Sequence, residues 1–270
     1  MSTLSPVGVL RPARTETITL HSDSVGPVRL TVADRDRTQP FLLLHGGGGP
    51  ATMADFADLL AERTHARVLL PTHPGFAGTP RAETLAGVTE LARTYIALLD
   101  HLDLTDVTVV GNSFGGWLAA EIALQGSPRV SGAVIIDGIG IEVEGLPMTD
   151  ITGLAPAEIR AHSFHDPSKA PLPPNTGGAG PSPDLEALIG YTGPSMSDPT
   201  LRRRLGDLHL PVHVLWGESD GIVGPDYGRA YAAAIPMATF TLLPRTGHMP
   251  QVESPEELLG AMLDLGRAAA

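Results

Sequence analysis

The chain of 270 residues contains no cysteine. Disulfides, thiolate metal sites and a cysteine nucleophile are therefore excluded. Lysine is almost missing too: of 18 basic residues only Lys169 is not arginine. Positive charge is in deficit, since 30 acidic residues leave a formal net charge of −12. Such a chain is repelled by a phosphate backbone and by an anionic membrane surface, so neither nucleic acid nor a membrane is expected as a partner. No apolar run reaches the roughly 18 residues of a spanning helix. Met1 to Leu20 has no apolar stretch behind its basic residues, as a secretory leader would. The expectation is a soluble, cytoplasmic protein. What is plentiful is hydrophobic, 42% of residues against 18% charged. That balance supports a folded core, and the length suits one large α/β domain or a core with an insertion.

Strand and helix patterns alternate along the chain. Thr15 to Leu20 and Val28 to Val32 each alternate polar and apolar residues around a turn-rich segment, as an antiparallel hairpin does. Phe41 to Leu44 is an unbroken apolar run, expected of an interior strand, and leads into His45-Gly46-Gly47-Gly48-Gly49-Pro50. Met53 to Arg63 reads as an amphipathic helix, Arg67 to Leu70 as a strand, Thr72 to Pro80 as a loop, and about Leu85 to Leu102 as a helix. Val107 to Val110 and Val130 to Ile136 are further buried strands, with an apolar helix from Trp117 to Leu124 between them. The rhythm breaks at Ile141. Residues 142–205 are rich in proline and glycine, above all Lys169 to Pro183, with short helices expected over 156–164, 184–190 and 198–206. A structureless loop of that size is uncommon in a compact domain unless it is a lid. The segment 142–205 is therefore read as a cap inserted into a core of 1–141 and 206–270. The pattern resumes with Val212 to Trp216, a helix near 225–235, Thr239 to Leu243, and a helix from Pro255 to about Gly266. Ser254 and Glu257 have the spacing of a capping box for that last helix. The class is α/β, with a mostly parallel sheet of about eight strands and helices on both faces.

The residues with chemical promise fall at strand ends. Gly111-Asn112-Ser113-Phe114-Gly115 is a G-x-S-x-G pattern between a β-branched strand and an apolar helix. At such an elbow the serine sits on a sharp turn that leaves no room for side chains two residues away, which is why glycines flank it. A tight turn with an incidental serine is the bland alternative. A serine nucleophile needs a base, and imidazole titrates near neutrality. Of ten histidines, His248 lies in the loop after a late strand, on the sheet edge where open α/β sheets bind ligands. Asp220, after the strand Val212 to Trp216, is the first choice to orient it, and the order Ser113, Asp220, His248 suits this architecture. Asp137 and Glu218 are rivals for the acid. The oxyanion donors are expected to be the amide of Phe114 and one from the glycine loop, Gly47 first and Gly46 second. That loop lacks the lysine of a phosphate-binding P-loop and the spacing of a dinucleotide fingerprint.

These motifs resemble the α/β-hydrolase superfamily, carried by His45-Gly46-Gly47, Pro74-Gly75-Phe76-Ala77-Gly78, Gly111 to Gly116, Gly217 to Asp220, and Gly247-His248. The resemblance runs from about residue 14 to 268 and implies an α/β-hydrolase fold with a small cap. The glycine loop resembles both proline iminopeptidases and carbon–carbon hydrolases of meta-cleavage products, and the elbow resembles the latter. Serine at 113 separates the chain from haloalkane dehalogenases and epoxide hydrolases, which use aspartate there. His73 departs from the aspartate the family commonly places before Pro-Gly.

The expected function is hydrolysis of a small carboxylic ester or related acyl compound. The alternatives are carbon–carbon bond hydrolysis of a vinylogous diketone and, in another class, a non-catalytic small-molecule receptor. His45, Asn112, Phe164, Tyr191 and Met249 are candidate pocket residues, with Met148 and Met196 as further lining. His162, His165 and Asp166 are a tempting metal set without a convincing third ligand position, so no metal and no cofactor is expected. The partner is a small-molecule substrate. A homodimer is compatible with the sequence.

Overall fold

A computed structural model describes residues 14–22, 26–35, 40–151, 153–171 and 183–268. Its centre is an eight-stranded sheet in the order β1-β2-β4-β3-β5-β6-β7-β8. The strands are β1 (Arg14–Ser22), β2 (Gly26–Arg35), β3 (Pro40–Leu44), β4 (Arg67–Thr72), β5 (Val107–Asn112), β6 (Val130–Ile136), β7 (Val212–Gly217) and β8 (Ala238–Leu243). β1 pairs β2 and β2 pairs β4 antiparallel, and every pairing from β4 to β8 is parallel. β1 turns Ile18 and Leu20 inward and leaves Thr15, Thr17 and Thr19 exposed, the expected alternation. Strand order reverses between β3 and β5, so the crevice beyond their carboxyl ends is a topological switch point.

Helices cover both faces. Leu42, Leu44, Val109, Ile135 and Val214 point to one face, under α2 (Val88–His101), α3 (Phe114–Leu124) and α7 (Pro225–Ala233). Leu43, Val110, Val134, Ile136 and Leu215 point to the other, under α1 (Ala51–Thr64) and α9 (Pro255–Ala268). The alternation within each strand is the pleat itself, and its unbroken hydrophobicity reflects cover on both sides.

Between β6 and β7 lie α4 (Pro156–Ser163), a 3-10 turn at Pro167–Lys169, α5 (Pro183–Thr192) and α6 (Leu201–Arg204) followed by a 3-10 turn. The proline-rich stretch 172–182 is outside the described residues. The helix expected from Leu85 begins at Val88, because Gly87 is extended at φ −161°. The helix expected over 198–206 is a single α turn continued as a 3-10 turn. The sequence reading missed α8 (Pro250–Glu253), whose signal is the proline at its first position. The Ser254 hydroxyl pairs with Thr246 Oγ1 at 2.9 Å rather than closing the expected capping box. Among the described residues no helix is long and apolar enough to cross a membrane.

Candidate active site

The strand register brings the loops of interest to one edge. Leu44 pairs with Gly111, Asn112 with Ile136, Ile136 with Leu215, and Gly217 with Leu243. Ser113 leaves β5 at φ 57° and ψ −116°, a conformation L-residues avoid and one held here by its surroundings. Its amide donates to the Ile136 carbonyl at 2.9 Å, and its own carbonyl accepts from Gly116, Trp117 and Ile139. The flanking glycines have a steric cause: a Cβ on Gly111 would overlap the Gly115 carbonyl, and one on Gly115 the Leu44 carbonyl. Phe114 starts α3, where first-turn amides have no intrahelical acceptor and face the positive end of the dipole.

His248 Nδ1 lies 2.7 Å from Asp220 Oδ2, and Asp220 Oδ1 accepts from the Ile222 and Val223 amides at 2.8 and 3.1 Å. An ionised Asp220 can only accept, so Nδ1 carries the proton and Nε2 is left as the basic nitrogen. The rival acids are placed differently. Glu218 is exposed and accepts from the Arg245 amide at 3.0 Å. Asp137 is buried and accepts from the Gly217 amide at 2.8 Å. Burial and the neighbouring Asp220 charge push its carboxyl well above the usual range.

The glycine loop lies against the serine. A Cβ on Gly46 would come 3.0 Å from Ser113 Cβ, and one on Gly47 would come 2.9 Å from Leu188 Cδ2 of α5. Beneath it His45 and His73 are fully buried. His73 Nε2 lies 2.9 Å from the His45 carbonyl, which can only accept, so Nε2 carries the proton. Tyr95 then donates its hydroxyl to His73 Nδ1 at 2.5 Å. The His73 amide donates to His45 Nε2 at 3.1 Å, and His45 Nδ1 donates to the Gly46 carbonyl at 2.8 Å. Burial depresses both imidazoles, His45 to about 4 and His73 well below its ordinary value with help from His45. Both are neutral with defined tautomers.

Several expected pocket residues have other partners. His45 has both ring nitrogens engaged inside the protein, so it supports the glycine loop from below. Asn112 donates to the His248 carbonyl at 2.9 Å and accepts from Gln251 at 3.0 Å. It therefore ties the Ser113 elbow to the His248 loop instead of offering its amide to a ligand. Tyr191 stacks on Phe114 at 5.9 Å, gives its hydroxyl to the Pro74 carbonyl at 2.9 Å, and lies under the Arg81 guanidinium at 3.8 Å. Phe164 is buried, its backbone against Gly247, and a side chain on Gly48 would meet Met249. Met148 and Met196 line a surface cavity of about 630 Å³ with Ile141 and Tyr227, and neither Ser113 nor His248 lines it.

The 153–171 segment is stitched to the loops that carry Asp220 and His248. The His248 amide donates to the Ser163 carbonyl at 2.8 Å and the Gly221 amide to the His162 carbonyl at 2.9 Å. Glu253, which sequence reasoning missed, is buried and accepts from the Gly247 and Asp166 amides at 2.7 Å and the His165 amide at 3.1 Å. His165 Nδ1 pairs with Ser219 and Asp166 with Ser168, so the tempting metal set does not converge. Among the described residues the acids and histidine that do converge are Asp137, Asp220 and His248. Both Asp220 oxygens are already occupied by the donors named above.

The fold and this sheet edge define a doubly wound α/β protein with a strained strand-to-helix serine and a paired aspartate and histidine. The chain belongs to the alpha/beta hydrolase family, whose model matches residues 41–261. The dihydrolipoyllysine-residue acetyltransferase component of the acetoin cleaving system of Pseudomonas putida is 27% identical over 249 residues, covering 83% of this chain and 62% of that protein. The chain thus spans less than two thirds of that relative's length. A 2-hydroxy-6-oxononadienedioate/2-hydroxy-6-oxononatrienedioate hydrolase of Cupriavidus pinatubonensis is 28% identical over 255 residues, covering 78% of this chain and 81% of that one. A solved thermophilic esterase from Thermogutta terrifontis superposes with a TM-score of 0.69 at 22% identity, covering 94% of this chain and 98% of that chain. That likeness speaks for the fold alone.

Proposed function

We propose that this chain is a serine hydrolase of small carboxylic esters or related acyl compounds, with residues 142–205 as a cap over the site. The observation that carries the reading is the 2.7 Å hydrogen bond between Asp220 and His248, on the same sheet edge as the strained Ser113. Ser113 Oγ attacks the acyl carbon and passes its proton to His248 Nε2, while Asp220 holds the imidazole tautomer. The amides of Phe114 and of Gly47 or Gly46 receive the oxyanion. Collapse expels the alcohol, which takes the proton from His248. Water then attacks the acyl-enzyme, with His248 again as base. The cap is supported by Leu188 over Gly47 and by the Ser163 carbonyl on the His248 amide.

The test is a fluorophosphonate probe followed by p-nitrophenyl esters of rising chain length. Ser113→Ala is expected to lose labelling and to lower kcat by roughly 10⁴–10⁶. Labelling of another residue, or full activity in that variant, ends the proposal.

Carbon–carbon hydrolysis of a vinylogous diketone is the second reading, supported by the Cupriavidus pinatubonensis relative, a 2-hydroxy-6-oxononadienedioate/2-hydroxy-6-oxononatrienedioate hydrolase. A dienedioate carries carboxylates that call for cations. No lysine or arginine occurs from Ala170 to Leu201, and Arg81, which packs against α5 from the loop before α2, is engaged with Leu85, Gly190 and Tyr191. Uncharged acyl groups are therefore preferred. Cleavage of a ring-fission product without turnover of nitrophenyl esters would reverse the ranking.

A further inference from the structure

We infer that Asp137 and Asp220 share one proton, with Asp137 the neutral partner, and that Asp137 is a positioning residue that acts on His248 through Asp220. The inference rests on the reading of His248 as the base.

Asp137 follows β6 directly and, although not glycine, is held at φ 45°. Its side chain is fully buried. Its amide donates to the Leu215 carbonyl at 3.0 Å and its Oδ1 accepts from the Gly217 amide at 2.8 Å, so it is pinned to the end of β7. A carboxylate oxygen of Asp137, one of Asp220 and a ring nitrogen of His248 all lie within 4.8 Å of one another. Two carboxylates so close in a dry site do not both ionise. Their donors decide which one keeps the charge. Asp220 accepts from two amides and from His248, three donors that favour its anion. Asp137 has one donor, and its Oδ2 has no partner among the described residues. A proton on Oδ2 turns that unpartnered atom into a donor, and the Asp220 carboxylate, with an oxygen within 4.8 Å of one of Asp137, is the acceptor available to it. The same direction follows from burial and from the Asp220 charge, both of which raise the Asp137 carboxyl.

The ionisable groups facing Asp137 are Asp220 from the loop after β7 and His248 from the loop after β8. The elbow on its other side, Asn112 to Gly116, contributes none. His248 therefore answers to one negative charge. This also accounts for Asp220 and not Asp137 being the partner of His248: the acid with more donors stays ionised.

Asp137→Asn and Asp137→Ala separate the possibilities. The amide of Asn keeps an acceptor for Gly217 and places an N–H where the acid holds its proton. Asp137→Ala is expected to lower kcat/KM by roughly 10–100-fold through a loosened Asp220, and Asp137→Asn to recover most of that loss. The acid limb of kcat/KM, which reports the base in the free enzyme, should stay in place in Asp137→Asn. A limb displaced to lower pH by about one unit or more means that His248 lost an ionised neighbour, and the inference fails. A second readout needs no turnover. The wild-type protein at pH 7 should show a protonated-carboxyl stretch in the infrared that is missing from Asp137→Asn. Absence of that band in the wild type overturns the inference whatever the variants do. Full activity of Ser113→Ala would instead remove the reading of the site and leave the infrared result standing.

Discussion

The imidazoles of His45 and His73 lie with their centroids 3.8 Å apart and their planes tilted by 32°, and His73 donates to His45 twice, from its amide and from its ring. His73 stands where the resembling family commonly has aspartate before Pro-Gly. The downstream end of the pair is the Gly46 carbonyl, which belongs to the same peptide unit as the Gly47 amide. Tyr95, His73 and His45 thus hold in place the Gly47 amide, the first of the two glycine donors proposed for the oxyanion, by a chain of neutral hydrogen bonds that adds no charge beneath the site.

Neutral buried histidines make stability depend on pH in a definite direction. His45 and His213 both have folded values lowered to about 4 by burial. The unfolded chain, titrating near 6.5, binds more protons in the interval between. The stability these residues contribute is therefore complete above about 6.5 and is lost as pH falls toward 4, by roughly 3 kcal/mol for the fully buried His45 and by less for the shallower His213. His213→Gln can keep a hydrogen bond to Thr241 without titrating. Urea midpoints at pH 7 and 4.5 should differ less in that variant than in the wild type. Equal differences would show that His213 is not held neutral.

The contact between Gly47 and Leu188 couples the glycine loop to α5. Alanine at 47 would place its Cβ 2.9 Å from Leu188 Cδ2, so either the leucine or the loop must yield. Gly47→Ala is expected to lower kcat/KM. Leu188→Val, which withdraws the Cδ atoms, should restore much of it in the double variant. A coupling of roughly 1–2 kcal/mol in the kinetic double-mutant cycle is anticipated. Strictly additive effects would mean that α5 does not press on the loop.

The sheet and the elbow were legible because each depends on residues adjacent in sequence. Val107, Val109 and Val110 followed by Gly111 and Ser113 state a strand and its abrupt end within a few positions. Asp220 and His248 could be chosen because each lies in the loop directly after a strand. Side-chain direction was not legible. His45 and Asn112 neighbour the site in sequence, yet hydrogen bonds to residues far along the chain turn them inward or sideways. Glu253 left no local pattern at all, since its partners include amides 87 and 88 positions away. Tyr95 lies inside the helix expected from about Leu85 to Leu102, and nothing nearby announced that its hydroxyl serves His73.

Away from the site, Glu121 of α3 is buried and receives both Nη1 contacts of Arg204 at 2.9 Å and the Thr89 hydroxyl at 2.7 Å. Arg204→Leu strands that charge. The expected cost is roughly 2–4 kcal/mol, below the full value for a buried pair because Arg204 is partly in water and Thr89 remains. Adding Glu121→Gln should return part of the loss. Urea denaturation of the single and double variants checks this. A double variant no more stable than Arg204→Leu would show that the lost stability came from packing of the arginine stem and not from charge.

Glu253 gives the sharpest test of how the insert is attached. Its two oxygens accept from Gly247, His165 and Asp166, while Lys169 Nζ donates to its backbone carbonyl at 3.0 Å. One carboxylate therefore joins the residue before His248 to the segment after α4. Glu253→Ala leaves three amides without their acceptor, at a cost of roughly 2–4 kcal/mol. The consequence for function follows from position: Gly247 and the Ser163 carbonyl on the His248 amide both lose their anchor, and His248 loses its fixed approach to Asp220. Hydrogen exchange should quicken at the Gly247, His165, Asp166 and His248 amides together, and kcat should fall by roughly tenfold or more with a smaller change in KM. Glu253→Gln keeps one acceptor oxygen and should lie between. If exchange quickens at His165 and Asp166 while Gly247 and His248 remain protected, the insert is not fastened through the His248 loop, and the proposed coupling of cap to base is wrong.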